Sequence, residues 1–236
     1  MRWMHLRLQA PVASFGGEAI DARGVIRDFP SQSMLTGLFA NALGWTRAMK
    51  GRHQALQGRI VFGAVHDEGL GDNRRWFTDY QTAKLGKGDR AWTTSGVPSG
   101  RAGGPKTYDG MHQRWRDYHA DLRMSLVVRL GPEEGNPTLD DLAAALRRPA
   151  RPLFIGRKPC LPSREIFSAW LDEPDARTAL SAVMPAGSEC YAQWPYEGSS
   201  DGVEVRSITD ERNWMSGLHG GARRVCLGRI SGRGDA

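Results

Sequence analysis

The sequence predicts an α+β fold, in which a ferredoxin-like, RRM-like domain carries a long inserted arm and precedes a small β-rich C-terminal portion. Some short segments alternate apolar with polar residues, as strands do, and others repeat apolar residues at helical spacing. The two patterns follow one another as strand, helix, strand, arm, strand, helix, strand, which is the order of a ferredoxin-like domain. We therefore place that domain at 1–162, its arm at about 76–119 and the β-rich portion at 163–236.

The first strand is predicted at residues 2–9, where apolar side chains at positions 4, 6 and 8 alternate with a more polar face. This alternation is typical of a strand that is buried on one face only. His5 lies on the other face without neighbouring partners, so we expect a structural histidine rather than a catalytic one. Residues 10–17 contain a proline and two glycines and are predicted to form a turn.

A helix is predicted to follow Pro30 and to begin at a serine cap, either Ser31 or Ser33. Apolar residues recur along it at helical spacing, and Gly44 ends it. Because the first N–H groups of a helix have no partner within the helix, we expect this helix start to offer a phosphate site. The alternative is an ordinary core helix.

The middle of the chain contains the remaining elements of the domain. Strands are predicted at 59–66 and 122–130. Thr138 and Asp141 have the spacing of a capping box, with aspartate in place of glutamate, and predict a short helix. Residues 153–156 are predicted to form the last, brief strand of the domain.

The C-terminal portion is predicted to contain one short helix and three strands. The helix begins at 173–175, and the strands lie at 189–194, 202–208 and 223–230. This change of pattern is the reason for placing a boundary near residue 163.

The arm combines positive charge, aromatic rings and a stretch without regular structure. Its cations, with those just before it, are Arg74, Arg75, Lys84, Lys87, Arg90, Arg101, Lys106, Arg114 and Arg116. Its rings are Trp76, Phe77, Tyr80, Trp92, Tyr108, Trp115 and Tyr118. Glycines and prolines at 96–105 exclude a regular helix or a central strand there. Cations contact phosphates and flat rings stack on bases, so the arm favours single-stranded nucleic acid; the alternative is a solvated loop.

The charge balance also favours a polyanionic partner. The 236 residues carry a formal net charge of +6, with a sequence pI near 9.5. Most of the cations are arginines, which fork onto phosphate and stack on bases. The three cysteines lie far apart without a CxxC pair, so we expect no disulfide framework, no zinc site and a cytoplasmic location. The apolar runs are too short to span a membrane.

The sequence contains no cofactor or metal motif, so we expect a protein that needs neither. Lys106, Tyr108 and His112 lie close together in the arm, and such a trio can cut RNA without metal by general acid–base attack of a 2′-hydroxyl. A catalytic trio needs supporting packing that a glycine-rich loop does not supply. We therefore expect Lys106 to contact phosphate and Tyr108 to stack on a base.

Five segments, in order along the chain, resemble a known family. They are 6–16 (LRLQAPVASFG), 27–38 (RDFPSQSMLTGL), 79–82 (DYQT), 115–118 (WRDY) and 153–162 (LFIGRKPCLP). Together they resemble the CasD-type subunits of type I-E CRISPR Cascade, which are RAMP proteins of the Cas-five family. Phe15 stands where the family often has tryptophan, and the glycine- and proline-rich stretch at 95–105 is additional.

The resemblance implies a noncatalytic subunit that binds the 5′ handle of the crRNA and caps the backbone filament for antiviral defence. The arm would be a thumb that inserts between nucleotides near the start of the spacer. The implied partners are the CasC-type backbone subunit, the CasA-type large subunit, other Cascade subunits and, indirectly, target DNA. RNA cutting in such complexes belongs to another subunit, CasE. Two alternatives remain open: a metal-independent endoribonuclease that processes repeat RNA, and a free-standing RRM-like RNA-binding protein.

The resemblance and the cations and rings described above together predict the RNA-binding residues. They are Arg23, Arg27, Ser33, Arg75, Tyr80, Lys106, Tyr108, Arg114, Trp115, Arg157 and Lys158. Arg27, Arg157 and Lys158 flank the segments of greatest resemblance and are expected to bind the handle. We expect no catalytic and no metal-binding residues.

Overall fold

The computed structural model describes residues 1–20, 22–67, 75–84, 91–92, 98–99, 111–198 and 202–233. Within these ranges the strands are β1 Arg2–Ala13, β2 Gly16–Ile20, β3 Arg23–Ile26, β4 Ile60–His66, β5 Trp76–Ala83, β6 Ala91–Trp92, β7 Pro98–Ser99, β8 His112–Leu130, β9 Phe167–Asp172, β10 Glu189–Pro195, β11 Glu204–Ile208 and β12 Arg223–Ser231. The helices are α1 Gln32–Ala42, α2 Lys50–Gln57, α3 Leu139–Arg147 and α4 Ala176–Val183. The described part of the chain is therefore a mixed α/β protein with four helices.

One large sheet contains all of these strands except β6 and β7, which pair with each other. Its main strand order is β11-β12-β10-β4-β8-β1-β9, and β2, β3 and β5 attach beside that path. β1 lies antiparallel to β8, with Leu6 opposite Leu126. The C-terminal strands join the same sheet, because β10 pairs with β4 at Ala192 and Val65. The predicted strands of the C-terminal portion are thus present, as extensions of the sheet that β1 and β8 begin.

β1 is buried on both faces, so the expectation of a strand buried on one face is wrong. One face, with Leu6 and Leu8, packs in the main core together with residues of α1 and α3. The other face contains Trp3, which packs in a second cluster with Leu180 of α4. The residues that bury this face come from a helix far along the chain. The alternation of residues within β1 contains no sign of that helix.

His5 is a buried structural histidine, as its isolation in the sequence predicts. Its Nε2 lies 3.2 Å from Ser125 Oγ, which donates to Asp67 Oδ1 at 2.8 Å. Burial, and then the nearby cations Arg7 and Arg164, lower the pKa of His5 to about 4. The ring is therefore neutral at physiological pH and acts as a hydrogen-bonding group within the sheet.

Helix starts follow the sequence where a capping side chain is present. Ser31 caps α1 by accepting the Met34 N–H, and Thr138 and Asp141 form the capping box of α3. α2 has no counterpart among the sequence predictions. Met49, at its start, makes no side-chain cap, so the usual signal of a helix start is missing.

Two predicted segments differ from the structure. β1 continues into the turn predicted at 10–17, and β2 begins before its end. Residues 153–156 do not form a strand, and the strand that follows α3 is β9. They belong to a turn instead, in which the Ile155 N–H donates to the Cys160 carbonyl and the Cys160 N–H donates to the Arg157 carbonyl.

The predicted arm begins and ends as an antiparallel ribbon. β5 pairs with the first half of β8, from Trp76 opposite His119 to Ala83 opposite His112. β8 then continues into the main sheet. The base of the arm is therefore regular structure that extends from the sheet.

Candidate nucleic-acid interface

A groove of about 820 Å³ opens where α1, the segment after it, the 153–160 turn and the loop between β11 and β12 meet. Its cationic lining side chains are Arg47, Arg151, Arg157, Lys158 and Arg212. None of the described residues that line it carries a carboxylate. The groove is therefore a surface of one sign of charge, which favours a polyanion.

The start of α1 forms one wall of this groove, but its first N–H groups are already bonded. Ser31 Oγ accepts the Met34 N–H. Asp210 accepts twice: its Oδ2 from the Gln32 N–H at 3.0 Å and its backbone carbonyl from the Ser33 N–H at 3.1 Å. The expectation that this helix start is a free phosphate site is therefore wrong, because a carboxylate of the same chain occupies it. Ser33 lines the groove with its hydroxyl, 3.1 Å from Ser31 Oγ.

Asp210 is held by a buried ion pair. Arg223 Nη2 donates to Asp210 Oδ2 at 2.9 Å, and Arg223 Nε donates to both carboxylate oxygens at 3.1 Å. The Asp210 side chain is 1% exposed and that of Arg223 is 15% exposed. Because β12 carries Arg223, this pair fixes the loop before β12 against α1 and sets the position of the groove wall.

The turn at 153–160 forms a second wall and depends on a glycine. Gly156 has a φ of +86°, and a Cβ at this position would overlap the Ser14 carbonyl oxygen. The close approach places Arg157 between strands, where its guanidinium donates to the carbonyls of Asp117 at 3.1 Å and Gly24 at 3.4 Å. It also lies 4.7 Å from the centre of the Tyr118 ring.

The three residues expected to bind the handle therefore differ in their surroundings. Arg157 is half-buried and bonded to two strands. Arg27 is half-buried, and its Nη2 donates to the Thr209 carbonyl at 2.8 Å, next to Asp210. Lys158 lines the groove and is exposed. Of the three, Lys158 presents its charge most directly to a ligand.

A group of aromatic rings lines the groove at the start of α2. His53 stacks on Trp214, with ring centres 4.6 Å apart, and meets Trp45 edge-on at 5.6 Å. His53 Nδ1 donates to the Met49 carbonyl at 2.8 Å, and Trp214 Nε1 donates to Gln57 Oε1 at 2.8 Å. All three rings are therefore held in place by packing or hydrogen bonds.

Sequence reasoning missed this half of the groove. The missed lining residues are Trp45, Arg47, His53, Arg151, Arg212 and Trp214. Arg151 donates to the Trp45 carbonyl at 2.8 Å and to the Gly44 carbonyl at 2.7 Å, and so holds the end of the α1 segment. These residues come from three distant segments, and no local motif marks them as neighbours.

The ribbon presents rings and cations of its own. Tyr80 lies opposite Trp115, with ring centres 5.2 Å apart, and is 50% exposed. Arg75 and Arg114 are exposed on the same two segments. Arg23 of β3 is exposed and pairs in register with Trp115. The ribbon thus combines exposed rings with exposed arginines.

The predicted site residues consequently fall into two groups. Arg27, Ser33, Arg157 and Lys158 lie at or beside the groove, whereas Arg23, Arg75, Tyr80, Arg114 and Trp115 lie on the ribbon or beside it. Arg157 joins the groups, because it lines the groove and covers Tyr118 at the ribbon base. Lys106 and Tyr108 lie outside the described residues.

Metal-binding clusters and membrane-spanning helices are both absent from the described ranges. They contain no group of three or more His, Cys, Asp and Glu side chains that could hold a metal ion. The helices within them are all too short or too polar to cross a membrane.

Comparison with known proteins gives consistent matches along the chain. The family described as CRISPR-associated protein (Cas_Cas5) matches residues 3–226. The CRISPR system Cascade subunit CasD of Escherichia coli (strain K12) is 25% identical over 195 residues, which are 81% of each chain. A chain of a solved CRISPR RNA-guided surveillance complex aligns with a TM-score of 0.67 at 18% identity, over 98% of this chain and 90% of that one. A crystal structure of a Cas protein aligns with a TM-score of 0.59 at 20% identity, over 97% and 95%.

Proposed function

This chain belongs to the CRISPR-associated protein (Cas_Cas5) family, and we propose that it is a noncatalytic RNA-binding subunit of a Cascade complex. In this role it holds the 5′ handle of the crRNA and caps the backbone filament. The observation that carries the proposal is the groove, whose described lining residues include five cationic side chains and no carboxylate. A guide held in this way leaves the reading of target DNA to base pairing.

The arrangement of the groove suits a single-stranded RNA backbone. Its charges come mainly from arginines, which pair with phosphate oxygens in a fixed fork geometry. Several of them are positioned by hydrogen bonds to backbone carbonyls, as for Arg151 and Arg157. Positioned donors lose little conformational freedom on binding. Lys158 adds an exposed charge that follows the RNA without a fixed geometry.

The ribbon is proposed to be the base of the thumb. Tyr80 and Trp115 supply flat rings for insertion between nucleotides near the start of the spacer, and the adjacent CasC-type subunit would pack beside them. The strand order β4-β8-β1-β9, with α1 between β1 and β4 along the chain and α3 between β8 and β9, supports the ferredoxin-like assignment. The division of the chain at 162/163 stays a prediction, as does the contact with a CasA-type large subunit.

The competing function is a metal-independent endoribonuclease, and a direct assay separates the two. The purified chain is incubated with CRISPR repeat RNA in a chelator, and the products are separated by size. The proposal predicts salt-dependent binding of intact RNA. Specific cleavage that disappears in Tyr108→Phe or His112→Ala would overturn it.

A pair of substitutions at Tyr108 sharpens this assay. If the ring stacks on a base, Tyr108→Phe retains the guide, whereas Tyr108→Ala weakens retention by roughly 1–3 kcal/mol. A nuclease shows the opposite sensitivity, since loss of the hydroxyl alone abolishes its cleavage.

A further inference from the structure

The three rings that line the groove form a preformed platform. His53 is 5% exposed and lies between Trp45 and Trp214. Both tryptophans are half-buried and line the groove, and Trp214 belongs to neither buried apolar cluster. Flat rings at the wall of a cationic groove offer apolar surface to a planar ligand.

The orientation of the platform is fixed by hydrogen bonds from the polar atoms of two of its residues, His53 and Trp214. The Met49 carbonyl can only accept, so His53 Nδ1 carries the proton of this contact at 2.8 Å. Trp214 is held twice, through Nε1 to Gln57 Oε1 at 2.8 Å and through its backbone N–H to Gln54 Oε1 at 2.9 Å. Stacking on these rings therefore needs little rearrangement.

Arg212 supplies a polar group beside the platform. Its guanidinium carbon lies 5.3 Å from the centre of the Trp214 ring. Its Nε is buried and has no hydrogen-bond partner among the described residues. Buried polar atoms are normally satisfied, so this Nε–H is left to an acceptor that is a water molecule or a ligand atom at the groove wall.

We propose that Trp45, His53, Trp214 and Arg212 form a binding site for one nucleobase of single-stranded RNA. The base stacks on the tryptophan surface and Arg212 donates to an acceptor on its edge, while the groove cations contact the flanking phosphates. This inference rests on the proposed function, because it requires RNA in the groove. It adds that one position of the bound RNA is held by its base as well as by its phosphate.

Abasic nucleotides separate the two kinds of contact. The full chain is titrated with a single-stranded RNA of about ten nucleotides and with versions that carry one abasic nucleotide at successive positions. The site predicts one position at which loss of the base weakens binding about tenfold. Abasic changes at other positions alter binding about twofold or less.

Variants then assign that position to the platform. Trp45→Leu and Trp214→Leu are expected to abolish the difference in affinity between intact RNA and RNA that is abasic at that position. Trp45→Phe is expected to retain this difference. Arg212→Gln keeps the rings and is expected to reduce the difference. Lys158→Ala is the matched control and weakens all probes alike. Thermal melts by circular dichroism verify that each variant is folded.

Each outcome decides one question. If no probe binds in a salt-dependent manner, the proposed function fails. If every abasic probe binds as tightly as intact RNA, or if the position effect survives in both leucine variants and in Arg212→Gln, the nucleobase site fails and the phosphate-binding groove stands.

Discussion

In the groove, the proposed RNA-binding surface is assembled from segments near residues 31–33, 45–53, 151–158 and 210–219, and buried or half-buried hydrogen bonds hold them together. In the ribbon, it lies on two neighbouring strands, and its rings are mostly exposed. Tyr80 on the ribbon is 50% exposed, whereas Asp210, which supports the groove wall, is 4% exposed as a whole residue. The two regions therefore differ in how far function depends on the stability of the fold.

This difference has a physical consequence for the ligand of each region. A groove with fixed donors matches one geometry of a polyanionic ligand, and it loses little conformational entropy when such a ligand binds. Exposed rings on a ribbon become buried only when a partner covers them. They therefore contribute to the free energy of binding in a complex and not to the stability of the free chain. Substitutions of residues whose hydrogen bonds hold the groove segments together should lower the free energy of unfolding. Substitutions of exposed residues on the ribbon should lower the affinity for RNA.

The largest effect is expected from Asp210→Ala. It leaves Arg223 without its buried partner and removes the carboxylate oxygen that accepts the Gln32 N–H at the start of α1. The free energy of unfolding should fall by about 3–5 kcal/mol, measured by urea denaturation. The control is Glu204→Ala, which breaks an exposed pair with Arg206 and should cost under about 1 kcal/mol. An equal loss of unfolding free energy in the two variants would contradict the view that the groove depends on buried contacts and the surface does not.

A smaller loss of stability is expected from Arg157→Ala. This side chain donates to the carbonyls of Asp117 and Gly24 and covers Tyr118, so its removal leaves two acceptors less satisfied. The expected cost is about 1–3 kcal/mol in the same denaturation experiment. An unchanged urea midpoint would mean that Arg157 does not stabilise the fold and that its only role is to contact phosphate.

Lys158→Ala tests the complementary case within the same turn. Its side chain is exposed, so the variant should keep the stability of the parent protein within about 0.5 kcal/mol. Binding to single-stranded RNA should weaken, and the slope of log affinity against log salt should fall by about 0.7–1 unit for one lost phosphate contact. A slope identical to that of the parent would exclude Lys158 from the RNA contact.

The smallest effect on the free chain is expected from Tyr80→Ala. Loss of the exposed ring and its pair with Trp115 should cost under about 1 kcal/mol of stability. In the reconstituted complex the same change should weaken RNA retention by about 1–3 kcal/mol, and Tyr80→Phe should not. Full retention by Tyr80→Ala would show that this ring does not stack on the guide.

The sequence predicted the elements whose signals are local. Ser31, Thr138 and Asp141 marked two helix starts because a capping side chain bonds the backbone within its own turn. α2 has no such cap, and its buried residues are His53, Leu56 and Gln57, which do not form an apolar stripe. A helix of this kind is stabilised by tertiary contacts, which local patterns do not encode.

The same reasoning separates the ribbon from the groove. The rings and cations of the ribbon lie in two short segments, so their clustering and the family resemblance together marked Arg75, Tyr80, Arg114 and Trp115 as candidates. The groove depends on contacts across the chain, such as Asp210 with the start of α1. A free helix start was therefore a reasonable local prediction, and a residue almost 180 positions away overturned it.

Photocrosslinking tests the central claim that the groove holds the guide RNA. A crRNA with 4-thiouridine at successive handle positions is assembled with this chain and its partner subunits, irradiated, digested and analysed by mass spectrometry. If the groove holds the handle, crosslinks are expected in peptides that contain 44–53, 151–158 and 209–219, with a ribbon crosslink near the start of the spacer. Handle crosslinks that avoid all three groove segments would contradict that claim.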